Sequence, residues 1–248
     1  MNSPTNRYLT AAASALQRLV DTQADAISQA GAMLADAIAA GHCVFSFGAS
    51  HSFMLTEELV YRTGGLMLIN PIYPQGMNLL VRPMTLTSQL ERLEGLGEAL
   101  LRNSPAQAGD VLLIASTSGR NAVALDMAIA ARDMGLKTIG ITSLDYSKGV
   151  TSRHSSGQRL FELVDLVIDN CAPHGDAAVE FEGFPQKSGP LSSVLGCAVV
   201  NAIACEVVQQ LLDRGIEPPV FVSANIDGAD ERNARLLAEY GDRIFYMD

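Results

Sequence analysis

The sequence predicts an α/β protein, a three-layer α/β/α sandwich around a five-stranded parallel sheet with helical additions at both ends. Short β-rich segments alternate with segments of helical periodicity, which favours parallel strands joined by crossover helices. Two strand segments, "VFSF" and "VLLI", are almost continuously apolar, as expected for strands covered on both faces. A chain of 248 residues can bury a sizeable core in one such domain.

The first element is a long amphipathic helix over residues 5–40. Its apolar side chains recur at intervals of four and seven and form one stripe, made of Leu9, Leu16, Val20, Ile27, Leu34 and Ile38. Gly41 is typical of a helix end. The stripe is suited to packing against the body of the protein or against a partner's helix.

The five strands follow in order, separated by helical patterns. Strands are predicted over 43–48, 66–70, 110–116, 137–143 and 163–170, and helices over 54–63, 88–102, 121–134, 191–213 and 229–240. Residues 71–87 contain three prolines and are expected to be irregular. We interpret residues 1–248 as a single domain, in which 1–40 is an N-terminal helix, 41–215 the α/β core and 216–248 a C-terminal extension.

Composition excludes several classes of protein. The formal net charge is -10 and no cluster of Lys and Arg stands out, which argues against nucleic acid as a partner. No apolar stretch approaches the ~18 residues of a membrane span, and the N-terminus lacks the pattern of a secretory signal. The four cysteines form no C-x-x-C pair, which favours free thiols in the cytoplasm over a disulfide framework or zinc site.

The segment "STSGRN" follows the third predicted strand and opens a helix. Ligands of open parallel sheets bind at such carboxyl ends of strands, and the helix start supplies free N–H groups and partial positive charge. Ser116, Thr117, Ser118 and Asn121 would add neutral donors suited to a phosphate, while Gly119 permits a tight turn. The alternative is an ordinary N-cap. No G-K-[ST] follows, so this is not a nucleotide-hydrolysing loop.

A second loop repeats this arrangement. "GHCVFSFGASHS" (41–52) parallels "GDVLLIASTSGR" (109–120): each has a glycine, an apolar strand and a serine-containing turn into a helix. Two such loops at neighbouring strand ends could grip the two ends of one small polar ligand.

These segments together resemble the sugar isomerase (SIS) domain family. "STSGRN" is similar to its serine-rich phosphate loop, and "FGASHSFMLTEELVYR" is similar to the "GNGGS…AEEL" segment of phosphoheptose isomerases. "SGRNAV", "SRHSSG" and "VIDN" resemble a subgroup described as phosphosugar isomerases. The resemblance covers roughly residues 5–245 and implies a homodimer or homotetramer that binds a sugar phosphate through Ser116, Ser118, Asn121, Ser50 and Ser52.

The chain departs from phosphoheptose isomerases at two positions that can hold zinc in that family. Met54 stands where they have a histidine, and the final core helix, "LGCAVVNAIACEVV", has none. No metal and no other cofactor is therefore expected.

Glu58 is the predicted general base. Aldose–ketose isomerisation needs a group that removes a proton next to the carbonyl and returns it to the neighbouring carbon, and a carboxylate in a partly dry pocket can do so. The alternative is an ordinary i,i+4 ion pair with Arg62. The preference for catalysis rests mainly on the family resemblance.

Two histidines are candidates to assist. His51 lies in the first ligand loop and could donate to a sugar oxygen, although a surface or cap role is equally open. His154 lies in "SKGVTSRHSSGQRL", after the fourth strand and at the same sheet edge. With Lys148 and Arg153 it forms a rare cationic group in an acidic chain; a solvated loop is the alternative.

The segment "FPQKSGPLSSVLG" (184–196) leads into the long apolar helix. The corresponding loop of SIS proteins often closes the sugar pocket, so Lys187, Ser192 and Ser193 are predicted contacts, with helix capping as the alternative. Glu91 and Glu94 receive no role and could simply lie on an exposed helix.

The predicted function is a metal-independent aldose–ketose isomerase acting on a sugar phosphate through an enediol. Two alternatives stay open: a sugar-phosphate lyase, which needs a similar carboxylate, and a non-catalytic phosphosugar sensor acting through protein partners.

Overall fold

A five-stranded parallel sheet forms the centre of the computed structural model, which describes residues 3–223 and 225–247. Its strands are β1 (Val44–Gly48), β2 (Ile69–Pro71), β3 (Val111–Ala115), β4 (Lys137–Thr142) and β5 (Leu166–Asp169), in the spatial order β2-β1-β3-β4-β5. All neighbouring pairs are parallel. Every residue of β1 and β3 is buried, because helices cover both faces. The predicted fold class is confirmed.

Helices form the outer two layers. They are α1 (Pro4–Ala39), α2 (Phe53–Leu59), α3 (Thr85–Leu90), α4 (Leu96–Arg102), α5 (Ala122–Asp133), α6 (Leu144–Lys148), α7 (Ser192–Asp213) and α8 (Ala229–Tyr240). One hydrophobic cluster joins α1, α2, α7 and α8 to one face of the sheet, and a second joins α4 and α5 to the other. Short 3₁₀ turns lie at 50–52, 160–162 and 241–243.

The apolar stripe of α1 is only partly buried. Ile27, Leu34 and Ile38 lie in the core as predicted, but Leu9 and Val20 are 59% and 67% exposed. In the N-terminal half of the helix the buried residues are instead Ala12, Ala15 and Leu19. Ala15 and Leu19 each lie one position before a residue of the predicted stripe. The outer apolar side chains of α1 are therefore available to a partner.

Several boundaries differ from the predicted ones. The segment 66–70 is not one strand, because Leu66 bridges to Val220 and Met67 N–H donates to Pro219 O, so β2 starts only at Ile69. The helix predicted over 54–63 ends at Leu59, where the backbone turns extended.

The helix predicted over 88–102 is also wrong as a single element. It is divided into α3 and α4, and Gly95, with φ +84°, caps the second of them at its start. This break brings Glu91 and Glu94 out of regular helix into a connecting segment.

A β-hairpin outside the main sheet was not predicted. Strands β6 (Ala177–Phe181) and β7 (Phe184–Pro190) pair antiparallel, so the loop expected over 184–190 is wrong. Their exposed, mostly polar residues lack the apolar run of a core strand. The hairpin is fixed to α1, where Tyr8 Oη donates to Pro190 O at 3.0 Å and Arg7 Nη1 to Glu180 O at 2.6 Å.

The C-terminal segment covers the exposed edge of β2. Asn70 Nδ2 donates to Arg243 O at 2.9 Å, and Asn70 Oδ1 accepts from Phe245 N at 2.8 Å. The Asn70 side chain thus makes two hydrogen bonds to the backbone of this segment, in place of the bonds that a further strand would make. Tyr246 Oη donates to Met67 O at 2.7 Å.

Helix α7 alone, among the described residues, is long and apolar enough to cross a membrane by length and composition. It packs against α1 and α2 and supplies core side chains such as Leu195, Val199 and Ile203.

Candidate functional site

A cavity of about 350 Å³ opens at the carboxyl ends of β1 and β3. Gly48 and Ala115 are direct partners across these strands, so the loops that follow them leave the sheet side by side. Chain order reverses here, since β1 is followed by β2 on one side and by β3 on the other; open α/β sheets bind ligands at such points. The predicted residues among its lining are Ser50, His51, Ser52, Ser116, Thr117, Ser118, Asn121, Ser192 and Ser193.

The first loop carries a strained backbone. Ser50 has φ +56°, a left-handed conformation that is uncommon outside glycine, and its N–H donates to Met77 O at 2.9 Å. The 3₁₀ turn that follows brings His51 and Ser52 to the cavity.

The serine loop after β3 is held at defined points. Ser116 N–H donates to Ile141 O at 3.0 Å, and Thr142 Oγ1 donates to Thr117 O at 3.1 Å. Gly119 has φ +58°, and a Cβ there would lie 2.7 Å from Ser147 Oγ and 2.9 Å from Thr142 Oγ1. Only glycine fits this turn, because both the dihedral angle and the space exclude a side chain.

Five hydroxyls face this cavity without a partner. Across residues 3–223 and 225–247, no hydrogen bond within the protein involves the side-chain oxygens of Ser50, Ser52, Ser116, Thr117 and Ser118. Their donors are therefore available to a ligand. The cavity combines uncharged donors with the start of the 12-residue helix α5, which adds partial positive charge.

Asn121 occupies the N-cap position of α5, but its side chain makes no capping hydrogen bond. Its Nδ2 donates to Glu91 Oε2 at 2.6 Å, and its Oδ1 accepts from Arg153 Nη1 at 3.0 Å. Asn121 therefore joins a carboxylate and a guanidinium at one edge of the cavity.

Glu91 is the functional candidate that the sequence did not identify. Its carboxylate lines the cavity, and its backbone O accepts from Val123 N at 3.1 Å in the first turn of α5. No motif surrounds it, and only the break between α3 and α4 places it here.

The wall opposite the serine loop is the start of α7. Asp176, with φ +69°, accepts from Leu191 N at 3.1 Å, from Ser192 N at 2.7 Å and from Ser192 Oγ at 2.7 Å. The carboxylate therefore already occupies this helix N-terminus. Ser193 Oγ donates to Met54 Sδ at 3.8 Å.

Glu58 does not line this cavity. Its side chain is 26% exposed, accepts from Asn201 Nδ2 at 2.7 Å and pairs with Arg62, which is the i,i+4 pair considered as the alternative. The catalytic assignment of Glu58 stays a prediction.

His154 also lies outside the cavity lining, packed behind one wall. Its Nε2 is 3.1 Å from Asp126 Oδ1 and its Nδ1 is 2.8 Å from Ser156 Oγ. The pKa of Asp126 is raised, chiefly because burial disfavours its charged form. The adjacent Ser155 donates from N and Oγ to Glu94, which ties this loop to the segment that carries the cavity carboxylate.

Lys187 lies on the exposed strand β7, where it pairs with Glu180 at 2.8 Å across the hairpin, and it does not line the cavity. Within the described part of the chain, no three His, Cys, Asp or Glu side chains come close enough together to hold a metal ion.

Comparisons with known proteins agree with this geometry. The SIS domain family profile matches residues 7–143. A UPF0309 protein of Shouchella clausii is 46% identical over 232 residues, which cover 94% of each chain. A phosphoheptose isomerase structure from Francisella tularensis superposes with a TM-score of 0.56 at 15% identity, covering 83% of this chain and 96% of the other.

A second solved structure with the same fold holds a bound ligand. The Vibrio vulnificus NanR protein, complexed with ManNAc-6P, superposes with a TM-score of 0.53 at 14% identity, over 99% of this chain and 71% of that one. These two likenesses show a shared fold, which serves both an isomerase and a protein bound to a sugar phosphate. From the profile match and its relatives, the chain belongs to the SIS domain family.

Proposed function

We propose that this protein binds a sugar phosphate in the cavity and interconverts its aldose and ketose forms. The observation that carries the proposal is the set of five unpartnered hydroxyls on two adjacent strand ends, beside the α5 N-terminus. A phosphate monoester has three strong acceptor oxygens, which uncharged donors and a helix dipole can satisfy. Family membership supports the same ligand class.

For proton transfer we favour Glu91 over Glu58. Glu91 and Asp176 are the acidic side chains that line the cavity, as far as the chain is described, and Asp176 is already bound by three donors of the α7 start. Glu91 accepts one hydrogen bond, from Asn121. Its second oxygen is therefore available to a substrate C–H.

The reaction would proceed through an enediol. Glu91 removes the proton from the carbon beside the carbonyl, and the carbonyl oxygen takes a proton from His51. The neighbouring hydroxyl then returns a proton to His51, while Glu91 delivers its proton to the former carbonyl carbon. His51 lines the cavity, and an imidazole can both donate and accept a proton. His154 would act as a positioning residue through Asp126 and the adjacent loop.

We also propose that two copies associate through α1 and α7. A largely apolar groove of about 500 Å³ runs between these helices and is lined by residues such as Leu16, Val20, Ala198 and Ala202. A second copy would cover this face and the exposed apolar side chains of α1.

The binding half of the proposal is tested by calorimetric titration with fructose 6-phosphate and with fructose. We expect the phosphate ester to bind and free fructose to show no binding. A Ser116→Ala/Ser118→Ala double variant should lose at least about tenfold in affinity, since each lost charge-assisted hydrogen bond costs about 1.5–3 kcal/mol. Ser14→Ala, an exposed serine on α1, is the control. Equal affinities for ester and free sugar would contradict the proposal.

The catalytic half is tested by incubating the protein in D₂O with a panel of sugar phosphates. An isomerase incorporates deuterium at the carbon beside the carbonyl. Binding without exchange across the panel would favour a sensor, and release of a substituent without interconversion would favour a lyase.

A further inference from the structure

Three arginines gather at the cavity edge that Asn121 occupies. Arg153 Nη1 donates to Asn121 Oδ1 at 3.0 Å, and Arg153 N–H donates to Arg120 O at 2.9 Å, so its loop lies against the serine loop. Arg120 immediately precedes Asn121, and Arg92 immediately follows Glu91. Each arginine is thus bonded or adjacent in sequence to a residue that lines the cavity. We call Arg92, Arg120 and Arg153 the arginine edge.

The arginine edge lacks carboxylate partners. Of the salt bridges between described residues, none includes Arg92, Arg120 or Arg153. Arg120 uses Nη2 to reach Thr151 Oγ1 at 3.1 Å, while its Nε is buried with no hydrogen-bond partner. Apart from this bond and the one from Arg153 to Asn121, the guanidinium donors of the arginine edge have no hydrogen-bond partner among the described residues. The planar fork of a guanidinium suits carboxylate and phosphate oxygens.

Holding these like charges together is unfavourable without an anion. The pKa of Arg153 is lowered, first by burial and then by the charges of Arg120 and Arg92. The charge of Glu91 acts in the opposite direction on this pKa, and the Glu91 carboxylate is bound to Asn121. In a chain of net charge -10, such a concentration of unpaired cations indicates a site for negative charge.

The two sets of donors lie at different places. The five free hydroxyls belong to residues that line the cavity, whereas the three arginines lie beyond the lining, at its edge. We propose that the arginine edge binds a second anionic group, so that the ligand is a sugar phosphate that also carries a carboxylate or a second phosphate. This inference rests on the proposed function, because it takes the first phosphate to be held by the serine loops.

The test is a calorimetric titration with two matched pairs: glucose 6-phosphate against 6-phosphogluconate, and fructose 6-phosphate against fructose 1,6-bisphosphate. The pairs distinguish a carboxylate from a phosphate as the second group. We expect the doubly anionic member of at least one pair to bind at least about tenfold more tightly at low ionic strength, the effect of one charge-assisted hydrogen bond.

The variants Arg153→Gln and Arg120→Gln should remove most of that preference and leave the affinity for the single phosphate within about threefold. Arg153→Lys, which keeps the charge without the planar fork, should retain part of it. Lys137→Gln is the control for net charge, because Lys137 begins β4 at the opposite edge of the sheet. Thermal unfolding of each variant checks that it is folded.

Equal affinities within both pairs would overturn the inference and leave the proposed function standing. The inference would also be overturned if the arginine variants lost equal affinity for ligands with one anionic group and with two. The arginines would then bind the first phosphate. If no sugar phosphate binds at all, the proposed function itself fails.

Discussion

Asn121 Nδ2 donates a hydrogen bond to Glu91 Oε2 across 2.6 Å, and this contact joins the serine loop to the carboxylate of the cavity. The two residues are 30 positions apart in sequence. The bond orients Glu91 and leaves its other oxygen available for proton transfer. It also places the Glu91 carboxylate directly beside the predicted phosphate loop.

Replacing Glu91 by Gln should abolish catalysis while preserving binding. The amide still fits beside Asn121 but cannot take a proton, so deuterium exchange into the sugar phosphate should fall by at least about 100-fold. The affinity for the sugar phosphate, measured by titration, should stay within about threefold. Glu58→Gln is the matched comparison and should reduce exchange less than about threefold. If Glu58→Gln lost the exchange and Glu91→Gln kept it, Glu58 would be the base.

Gly119→Ala should destabilise the serine loop and weaken ligand binding. A left-handed conformation costs a non-glycine residue about 1–2 kcal/mol, and the added methyl would also press on Ser147 and Thr142. We expect a loss of at least about 2 kcal/mol in urea unfolding. Gly157→Ala is the control, because its φ is +71° but nothing lies within 4 Å. Equal losses in the two variants would show that packing at Gly119 contributes nothing.

The His154–Asp126 pair should behave as a coupled structural unit. Removing only His154 leaves a buried carboxylate without one partner, which costs about 1–3 kcal/mol, whereas replacing both residues by alanine removes that penalty. A double-mutant cycle in urea unfolding should therefore give a coupling energy above about 0.5 kcal/mol. If His154 acts only by positioning, His154→Ala should lower kcat without abolishing exchange. Complete loss with unchanged stability would instead indicate direct catalysis.

Stability should decrease in mild acid. The pKa of Glu162 is lowered by the hydrogen bond from Arg159, and that of Glu217 by the one from Arg235. Groups with a depressed pKa in the folded state contribute stability above the ordinary value of 4.5, and this contribution is lost as pH falls below it. The urea midpoint should therefore drop between pH 5 and about pH 3.

Glu162→Gln should flatten part of that pH dependence, since it removes one of the groups that must be protonated. Glu57→Gln, at an exposed position with no ion pair among the described residues, is the control and should leave the slope unchanged. A midpoint that rises on acidification would contradict the argument.

Disruption of the groove between α1 and α7 should yield monomers. We expect light scattering to show a dimer or a tetramer for the natural chain and a monomer for Val20→Glu, because a charge cannot be buried there without a partner. Leu80→Glu is the control at a position that is 86% exposed and outside the groove. The exposed Cys205, which lines the groove, should be alkylated faster in the Val20→Glu variant. A natural chain that is monomeric at all concentrations would refute the interface.

The sequence alone determined the five strands of the main sheet, in their order along the chain, and the two serine loops. A short apolar run such as 111–115 is typical of a buried strand, and Gly119 with its neighbouring hydroxyls marks the turn that follows, so these features depend on local pattern. Only the tertiary structure decided which charged groups reach the cavity. Glu91 arrives there because α3 and α4 are separate helices, while Glu58 and His154 find partners elsewhere. The physical reason is that hydrophobic periodicity is local, whereas the hydrogen bonds that join Asn121 to Glu91 and to Arg153 connect residues 30 or more positions apart, which no local pattern specifies.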